Sequence, residues 1–536
     1  MSSDTGVLSG EMAKIAYLLL CHKDPDAVIE QARSLTAAGD CMVIHFDANS
    51  DAGDFRHICD ALADEPGVMM ARRRVRCGWG EWSLVQATLT ALETALDAFP
   101  DATHFYMVSG DCMAIKTAEY ARGLLDREDA DYIECFDFFE SDWIKTGMKE
   151  ERLIYRHYLN ERKHKRLFYA MQDVQRRLGL QRAIPADLRI MIGSQWWCLR
   201  RTTVEAIFEF LGKRRDVLRF FRTTWIPDET FFQTLVRHLV PAPEIRARTL
   251  TFLMFTDYGM PVTFHNDHYD LLLAQDYLFA RKISPAALEL KNRLGDLYAR
   301  TGVTFHISNE GRELHRFLTS RGRIGNAYAQ RFWETEASLG RDRDLMIIVC
   351  KKWHVARRLL DRIRRETGIP AAEYLFDEEQ ADLPDLGGLE TSLKKRTRHR
   401  RSLMRILFDA WQTDRMVICL DPGHMDLLRD FDADTCTTRI LELDCDFSDD
   451  DLAGHANRIG LAADDTPASA LDRLLPALRR EIRQQSDTIR DGGFAHFTRV
   501  REGADRAELA AAVGRFLSVP ADTAARIADI DDLFGG

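Results

Sequence analysis

Lys14-Ile15-Ala16-Tyr17-Leu18-Leu19-Leu20-Cys21-His22-Lys23-Asp24-Pro25 decides how this chain folds. Its unbroken apolar run reads as a strand buried on both faces, and the polar residues after it read as a loop. The pattern from Ala27-Val28-Ile29 to Leu35 then predicts a helix. A second strand, Cys41-Met42-Val43-Ile44-His45-Phe46-Asp47, closes on Ala48-Asn49-Ser50. Strand, helix and strand in this order predict a βαβ unit with a right-handed crossover. A third strand around Gly67-Val68-Met69-Met70, a helix from Leu84 to Ala98 and a strand His104-Phe105-Tyr106-Met107-Val108 continue the alternation. The fold class is therefore α/β. No GxGxxG or GxxxxGK[ST] loop occurs, which disfavours a nicotinamide Rossmann domain or an ordinary P-loop enzyme.

Composition frames this reading. A chain of 536 residues with 46% hydrophobic content supports two or three packed domains. The net charge of −11 argues against wholesale nucleic-acid binding. No run approaches the ~18 apolar residues of a membrane span. The start, Met1-Ser2-Ser3-Asp4-Thr5-Gly6, lacks the pattern of a signal peptide. The eleven cysteines are odd in number, and Cys21, Cys41, Cys198, Cys350 and Cys419 lie in apolar strands. Reduced thiols and a cytoplasmic location are the expectation. The Ala/Arg/Asp-rich composition suits a bacterial source.

Three further stretches look like pocket edges, because small and polar residues interrupt apolar runs. They are Val108-Ser109-Gly110-Asp111, Gly193-Ser194-Gln195-Trp196-Trp197, and Trp225-Ile226-Pro227-Asp228-Glu229-Thr230-Phe231. The last has two readings. Proline followed by two acids is a good helix start, since acids in a first turn meet unpaired backbone N–H groups. Adjacent carboxylates beside a pocket also suit proton transfer.

Taken in order, several motifs resemble the core-2/I-branching glycosyltransferase family, which includes the peptide O-xylosyltransferases. They are His22-Lys23-Asp24-Pro25, Ile44-His45-Phe46-Asp47, Trp79-Gly80-Glu81-Trp82-Ser83-Leu84-Val85, Ser109-Gly110-Asp111, Gly193-Ser194-Gln195-Trp196, Pro227-Asp228-Glu229 and Leu278-Phe279-Ala280-Arg281-Lys282. Each motif alone is weak; their order across the segment from Met12 to Arg300 is the signal.

The resemblance implies a GT-A-like domain that binds a UDP-sugar and transfers the sugar with inversion. It makes Glu229 the general base. It places Asp47, Lys149, Lys282 and Ser194 at the donor, with Asp47 near the uridine and ribose and both lysines at the diphosphate. It places Asp111, Arg152, Asp228 and Trp79 at the acceptor. Read from the residues alone, Asp47 is equally a turn former, Asp228 a helix-start residue, and Lys149 with Arg152 a solvated helix face. The family's additional arginine has no clear counterpart near Pro261-Val262-Thr263-Phe264-His265, and Arg248 is a possible substitute. Basic side chains in place of a metal are implied, so no cofactor or metal is expected beyond the UDP-sugar. Asp129-Ala130-Asp131 opens the expected strand Asp131–Phe136, whereas metal-binding pairs of this fold close one. Asp444-Cys445-Asp446 closes a strand but lies in the C-terminal part. Trp79, Trp82, Trp196 and Trp225 are candidate sugar platforms, and Trp79 is the one singled out.

Beyond Lys282 a helix from Pro285 to Tyr298 closes the transferase, giving a domain over 1–305 and a linker over 306–343. Residues 344–536 predict a second α/β domain of unknown role. Its strand Asp344-Leu345-Met346-Ile347-Ile348-Val349-Cys350, basic loop Lys351-Lys352 and helix Val355–Thr367 faintly resemble a P-loop or sulfotransferase fold without its glycines. Strands at Met416–Leu420 and Arg439–Leu443 and a helix from Leu471 to Ile489 follow. The block Lys394-Lys395-Arg396-Thr397-Arg398-His399-Arg400-Arg401 reads as a solvated helix face or as a grip for an anionic polymer, nucleotide or membrane surface.

Three functions follow. The first is transfer of GlcNAc or xylose from a UDP-sugar to a hydroxyl of a glycan or polysaccharide precursor. The second is a bifunctional enzyme with a nucleotide-dependent C-terminal domain. The third is a non-catalytic module that binds a nucleotide-sugar or glycan. The expected partners are the UDP-sugar and a glycan acceptor, with no nucleic acid, no transmembrane segment, possible peripheral membrane contact and an open oligomeric state.

Overall fold

The computed structural model describes residues 12–144, 147–254, 261–308, 338–463 and 466–535. The chain divides into two compact units, Met1–Arg321 and Gly322–Gly536. Most of the expected linker, residues 309–337, lies outside the described residues.

The first unit contributes strands β1 (Ile15–Cys21), β2 (Cys41–Phe46), β3 (Val68–Met70), β4 (His104–Ser109), β5 (Met113–Ala114) and β6 (Asp131–Tyr132). β7 (Phe136–Asp137), β8 (Met191–Ile192), β9 (Cys198–Arg200), β10 (Ile245–Arg246), β11 (Thr251–Leu253) and β12 (Phe279–Arg281) complete it. Seven of these form one sheet in the order β10-β6-β9-β4-β1-β2-β3. The β3-β2-β1-β4 half is parallel, while β9 runs against both β4 and β6. β1 and β2 are buried almost throughout, which is why they read as unbroken apolar runs. A smaller sheet, β11-β12-β5, sets Arg281 beside the carboxyl ends of the main strands.

Helices Pro25–Thr36 and Trp82–Ala98 provide the crossovers. Asp24 caps the former, accepting from the Ala27 N–H at 3.3 Å, with Pro25 in the first turn. That cap fixes the end of the His22-Lys23 loop.

Two local expectations change. The strand predicted over Asp131–Phe136 splits into β6 and β7, because Glu134 turns out of the ladder to meet Ser194. Pro227-Asp228-Glu229 forms its own 3₁₀ turn, and the helix begins afterwards at Phe231–Leu239. Ile226, just before the turn, has φ 54°. A β-branched residue in the left-handed region costs on the order of 1–3 kcal/mol, and such strain gathers at functional sites.

The second unit is a parallel sheet of β13 (Asp344–Cys350), β14 (Ala371–Ala372), β15 (Arg415–Leu420), β16 (Thr437–Asp444) and β17 (Phe497–Arg501). Its order is β14-β15-β13-β16-β17. Alternate residues of β13 face two cores. Met346, Ile348 and Cys350 pack with helix Trp353–Thr367, and Leu345, Ile347 and Val349 with helices Arg400–Ala410 and Met425–Asp432. The basic block Lys394–Arg401 is more than a solvated face. Arg396 is buried and donates to the Thr391 and Glu379 carbonyls, while Arg400 and Arg401 clamp Asp430. All eleven cysteines carry free thiols. Among the described residues no helix is long and apolar enough to cross a membrane.

Candidate functional site

The carboxyl ends of β1 and β4 open into a cavity of about 280 Å³, walled on the far side by the loop after β12. Asp111 sits in it between two lysines, Lys23 Nζ 3.5 Å from one carboxylate oxygen and Lys282 Nζ 3.7 Å from the other. Arg281 lies over the Trp196 ring at 4.1 Å, and its buried Nε has no hydrogen-bond partner among the described residues. With Lys291 the lining carries four cationic side chains against the carboxylates of Asp24 and Asp111. Such a surplus in a half-enclosed pocket attracts an anion of more than one charge.

A second group lies on the 3₁₀ turn. Glu229 Oε2 accepts from Arg152 Nη1 at 3.2 Å, and the Glu229 side chain keeps 31% exposure. Arg152 is buried, its Nε donating to the Met148 carbonyl and its guanidinium 5.1 Å from the centre of the Trp225 ring. Burial pushes the Glu229 carboxyl up, opposed by Arg152 and by a hydrogen bond from Trp143. Asp228 is pushed up to about 7, first by burial and then by the neighbouring Glu229 charge. Its buried Oδ1 has no hydrogen-bond partner among the described residues. Two adjacent carboxyls with separated tendencies to hold a proton suit acid–base chemistry.

Gly193 and Ser194 pass between these carboxyls and a third, Glu134. The Gly193 N–H donates to the Glu229 carbonyl at 2.9 Å, and the Ser194 N–H donates to Glu134 Oε2 at 3.2 Å. A Cβ on Gly193 would lie 2.0 Å from the Glu134 carbonyl oxygen, so only glycine fits. Burial raises the Glu134 carboxyl, and Ser194 opposes that rise.

Two segments join the cavity to the carboxyl group. Ser194 continues through Gln195 to Trp196, both in the cavity wall. Trp79, also in that wall, meets Trp225 edge to face at 6.1 Å, and the next residue's carbonyl, Gly80 O, accepts from the Ile226 N–H at 2.9 Å. Trp79 stays 43% exposed, with Arg162 stacked 4.0 Å from its ring centre.

The structure thus gathers Asp111, Lys282 and Trp79 around the cavity, and Glu229, Asp228, Arg152 and Ser194 beside it. Of the four expected donor residues only Lys282 lines the cavity; Ser194 lies beside it, and Asp47 and Lys149 stand apart. Asp47 Oδ1 accepts from the Asn49 and Cys77 N–H groups at 2.8 and 3.1 Å, pinning the Cys77 loop. Lys149 Nζ donates to the Phe139 and Ser141 carbonyls, both at 3.1 Å. Arg248 is held by Asp276 at 2.9 Å. Asp131 is buried against Arg200 and Thr203 and has no spare oxygen for a metal. Among the described residues no three His, Cys, Asp or Glu side chains gather as a metal site would require. Lys23, Arg281 and Glu134 were not singled out from sequence. The signal for Glu134 was an acid inside the apolar run Tyr132-Ile133-Glu134-Cys135-Phe136; Lys23 and Arg281 stood inside quoted motifs without a role.

Comparison with known proteins divides the chain between residues 268 and 281, inside the first unit. Residues 15–268 match the profile of the Core-2/I-Branching enzyme family, and residues 281–536 that of a family of unknown function, DUF5928. A xylosyltransferase of Ciona intestinalis is 26% identical over 235 residues, 42% of this chain and 25% of its own. A beta-1,3-galactosyl-O-glycosyl-glycoprotein beta-1,6-N-acetylglucosaminyltransferase 3 of Bos taurus is 24% identical over 224 residues, 42% of this chain and 47% of its own. The chain thus spans a quarter to about half of the curated relatives it matches. A solved glycosyltransferase, GlyE of Streptococcus pneumoniae, aligns over 87% of this chain and 99% of its own at 10% identity, with a TM-score of 0.20 that is too low to bear on the fold.

Proposed function

Residues 15–268 carry a Core-2/I-branching enzyme domain, and on that premise we propose that the protein moves a sugar from a UDP-sugar to a glycan hydroxyl with inversion. In this reading the domain is GT-A-like and the cavity beside β1 and β4 takes the diphosphate. Lys23, Arg281 and Lys282 supply the positive charge that the leaving UDP requires, without a metal. The acceptor oxygen attacks the anomeric carbon as the bond to the UDP oxygen breaks. UDP leaves with that electron pair, and the acceptor proton passes to Glu229. Arg152 keeps Glu229 ionised and aimed. Asp228 bonds a sugar hydroxyl, and Trp79 lies along a sugar face. Lys149 acts indirectly, by holding the Phe139–Ser141 loop. The free and mostly buried cysteines fit a reducing compartment, so we place the reaction in the cytoplasm.

The observation that carries this reading is the Glu229–Arg152 pair, 3.2 Å apart, joined through Trp79 and the Ser194–Trp196 segment to a cationic cavity that Trp79, Gln195 and Trp196 line. It is tested by UDP release from a panel of UDP-sugars, with and without EDTA. Release from one donor, unchanged by EDTA and lowered 10²–10⁴-fold in Glu229→Gln with UDP affinity kept, is expected. Release abolished by EDTA would overturn the metal-free clamp, and near-normal turnover by Glu229→Gln would remove the base.

A further inference from the structure

Helix Lys165–Arg177 of the first unit carries apolar side chains on two sides, and only one of them is packed. Phe168 and Gln172 are its buried residues. The Phe168 ring stacks on His157 with centres 5.0 Å apart and lies 5.8 Å from Trp225. Gln175 ties the helix to the preceding chain, accepting from the Arg156 N–H at 2.9 Å and donating to the Arg156 carbonyl at 3.0 Å. One apolar stripe is enough to seat a surface helix, and the rest of such a helix is ordinarily polar.

Here the outward side is not. Leu167, Ala170 and Val174, at i, i+3 and i+7, share one side of the helix, and Leu178 continues the row past its end. Leu167, Val174 and Leu178 are 58%, 51% and 66% exposed. With Tyr158, Tyr169 and Leu180 they make six of the fourteen large apolar or aromatic side chains that stand exposed among the described residues, all between positions 158 and 180. Single exposed apolar residues are ordinary, whereas a cluster of them marks an interaction surface.

Charge selects the partner. From Arg156 to Arg177 seven Lys and Arg residues face only Glu161 and Asp173, in a chain whose net charge is −11. Lys163, Lys165, Arg166 and Arg177 are exposed and form no ion pair among the described residues. Arg166 and Arg177 border the aliphatic row on the helix surface, so their long side chains reach outward beside it. An aliphatic row flanked by cations on the convex side of a helix is the pattern of a helix lying in a membrane interface. The other basic block, Lys394–Arg401, lacks this freedom: Arg396 is buried, and Arg400 and Arg401 are held by Asp430.

We propose that the outward side of helix Lys165–Arg177 docks the protein on an anionic phospholipid bilayer, with the aliphatic row in the interface and the cations at the headgroup phosphates. Asn160 donates to the Trp79 carbonyl at 3.3 Å and Arg162 stacks over the Trp79 ring, so the segment that enters the helix also borders the site. Docking therefore holds the Trp79 end of the site about one helix diameter, ~10 Å, from the bilayer, within reach of a lipid-anchored glycan acceptor. That consequence for the acceptor rests on the transferase reading; the docking rests on the helix alone.

The test sediments the full chain with vesicles of phosphatidylcholine, alone or mixed with phosphatidylglycerol. Binding to the mixed vesicles is expected, at least about tenfold tighter than to phosphatidylcholine and weakening as salt is raised. The triple variant Leu167→Ser, Val174→Ser, Leu178→Ser and the double variant Arg166→Glu, Arg177→Glu should each weaken it about tenfold or more. These side chains are exposed, so the fold is retained, and circular dichroism checks it. Lys394→Glu with Arg398→Glu, in the other basic block, should leave binding unchanged. No sedimentation with the mixed vesicles, or binding indifferent to the triple variant, would overturn the proposal. Self-association that the triple variant abolishes, without vesicle binding, would also overturn it and give this surface to a second copy of the chain. Vesicle binding without turnover of any UDP-sugar would count against the transferase reading and leave the docking standing.

Discussion

Two strands of this protein end almost alike, and their lysines have opposite fates. β1 ends Leu20-Cys21-His22-Lys23 and β13 ends Val349-Cys350-Lys351-Lys352, each followed by a crossover helix. The Lys23 side chain is 56% exposed and 3.5 Å from Asp111, in a cavity with cations to spare. The Lys351 side chain is 9% exposed and 2.8 Å from Asp421, with Gln485 Oε1 at 3.2 Å. Asp421 is itself held by the Trp353 Nε1–H at 3.1 Å and the Gly423 N–H at 2.9 Å. Lys352 is taken up as well, by Asp451 at 3.1 Å. The loop after β13, which looked like a phosphate grip, thus offers no uncommitted lysine. What separates an open lysine from a structural one is desolvation and the supply of carboxylates, neither of which is visible in the strand that precedes it.

That contrast can be broken most forcefully at the buried end. Asp421→Asn leaves the Lys351 ammonium buried without its counter-charge and should cost about 3 kcal/mol of unfolding free energy, read by chemical denaturation. The matching change Asp111→Asn breaks an open pair and should cost under about 1 kcal/mol. Equal losses in the two variants would end the comparison. Next in size, Lys23→Ala and Lys282→Ala should each weaken UDP about tenfold by calorimetry, with the loss shrinking as salt is raised. Lys351→Ala should leave UDP affinity where it was.

A pH dependence gives a further test. Asp228 binds its proton more tightly in the folded chain, with its value near 7 against 3.8 for the free side chain. A raised carboxyl favours the folded state when protonated, so its contribution is complete below about pH 4 and is lost as pH rises through about 7. Thermal unfolding should therefore shift downward between pH 5 and pH 8, and Asp228→Asn should flatten that shift. A variant with the unaltered slope would show that Asp228 is not the group responsible.

The cavity and the carboxyl group were legible to different degrees. Glu229, Asp228, Lys282, Asp111 and Trp79 stood in the quoted motifs, Arg152 was assigned with them by the resemblance, and the fold places them in two adjoining groups. Asp47 stood in a motif and Lys149 was given a donor role by the resemblance, but backbone donors hold the first and backbone carbonyls the second. A motif shows which side chain stands at a strand end, not whether the chain's own backbone has already claimed it. Glu134 went unnoticed because its partner Ser194 is 60 residues away. The cavity also crosses a boundary between profiles: Lys23 and Asp111 lie within the residues 15–268 match, Arg281, Lys282 and Lys291 within that of residues 281–536.

The sequence by itself determined that two α/β units with parallel strands are present, since a strand buried on both faces must be apolar along its length, a local and one-dimensional demand. Only the tertiary structure decided which charges are free to meet a ligand. Asp421 lies 70 residues from Lys351, and Arg152 lies 77 from Glu229. Pairing at such range depends on the packing of whole elements, and burial then sets whether a pair holds the fold together or stays open to chemistry.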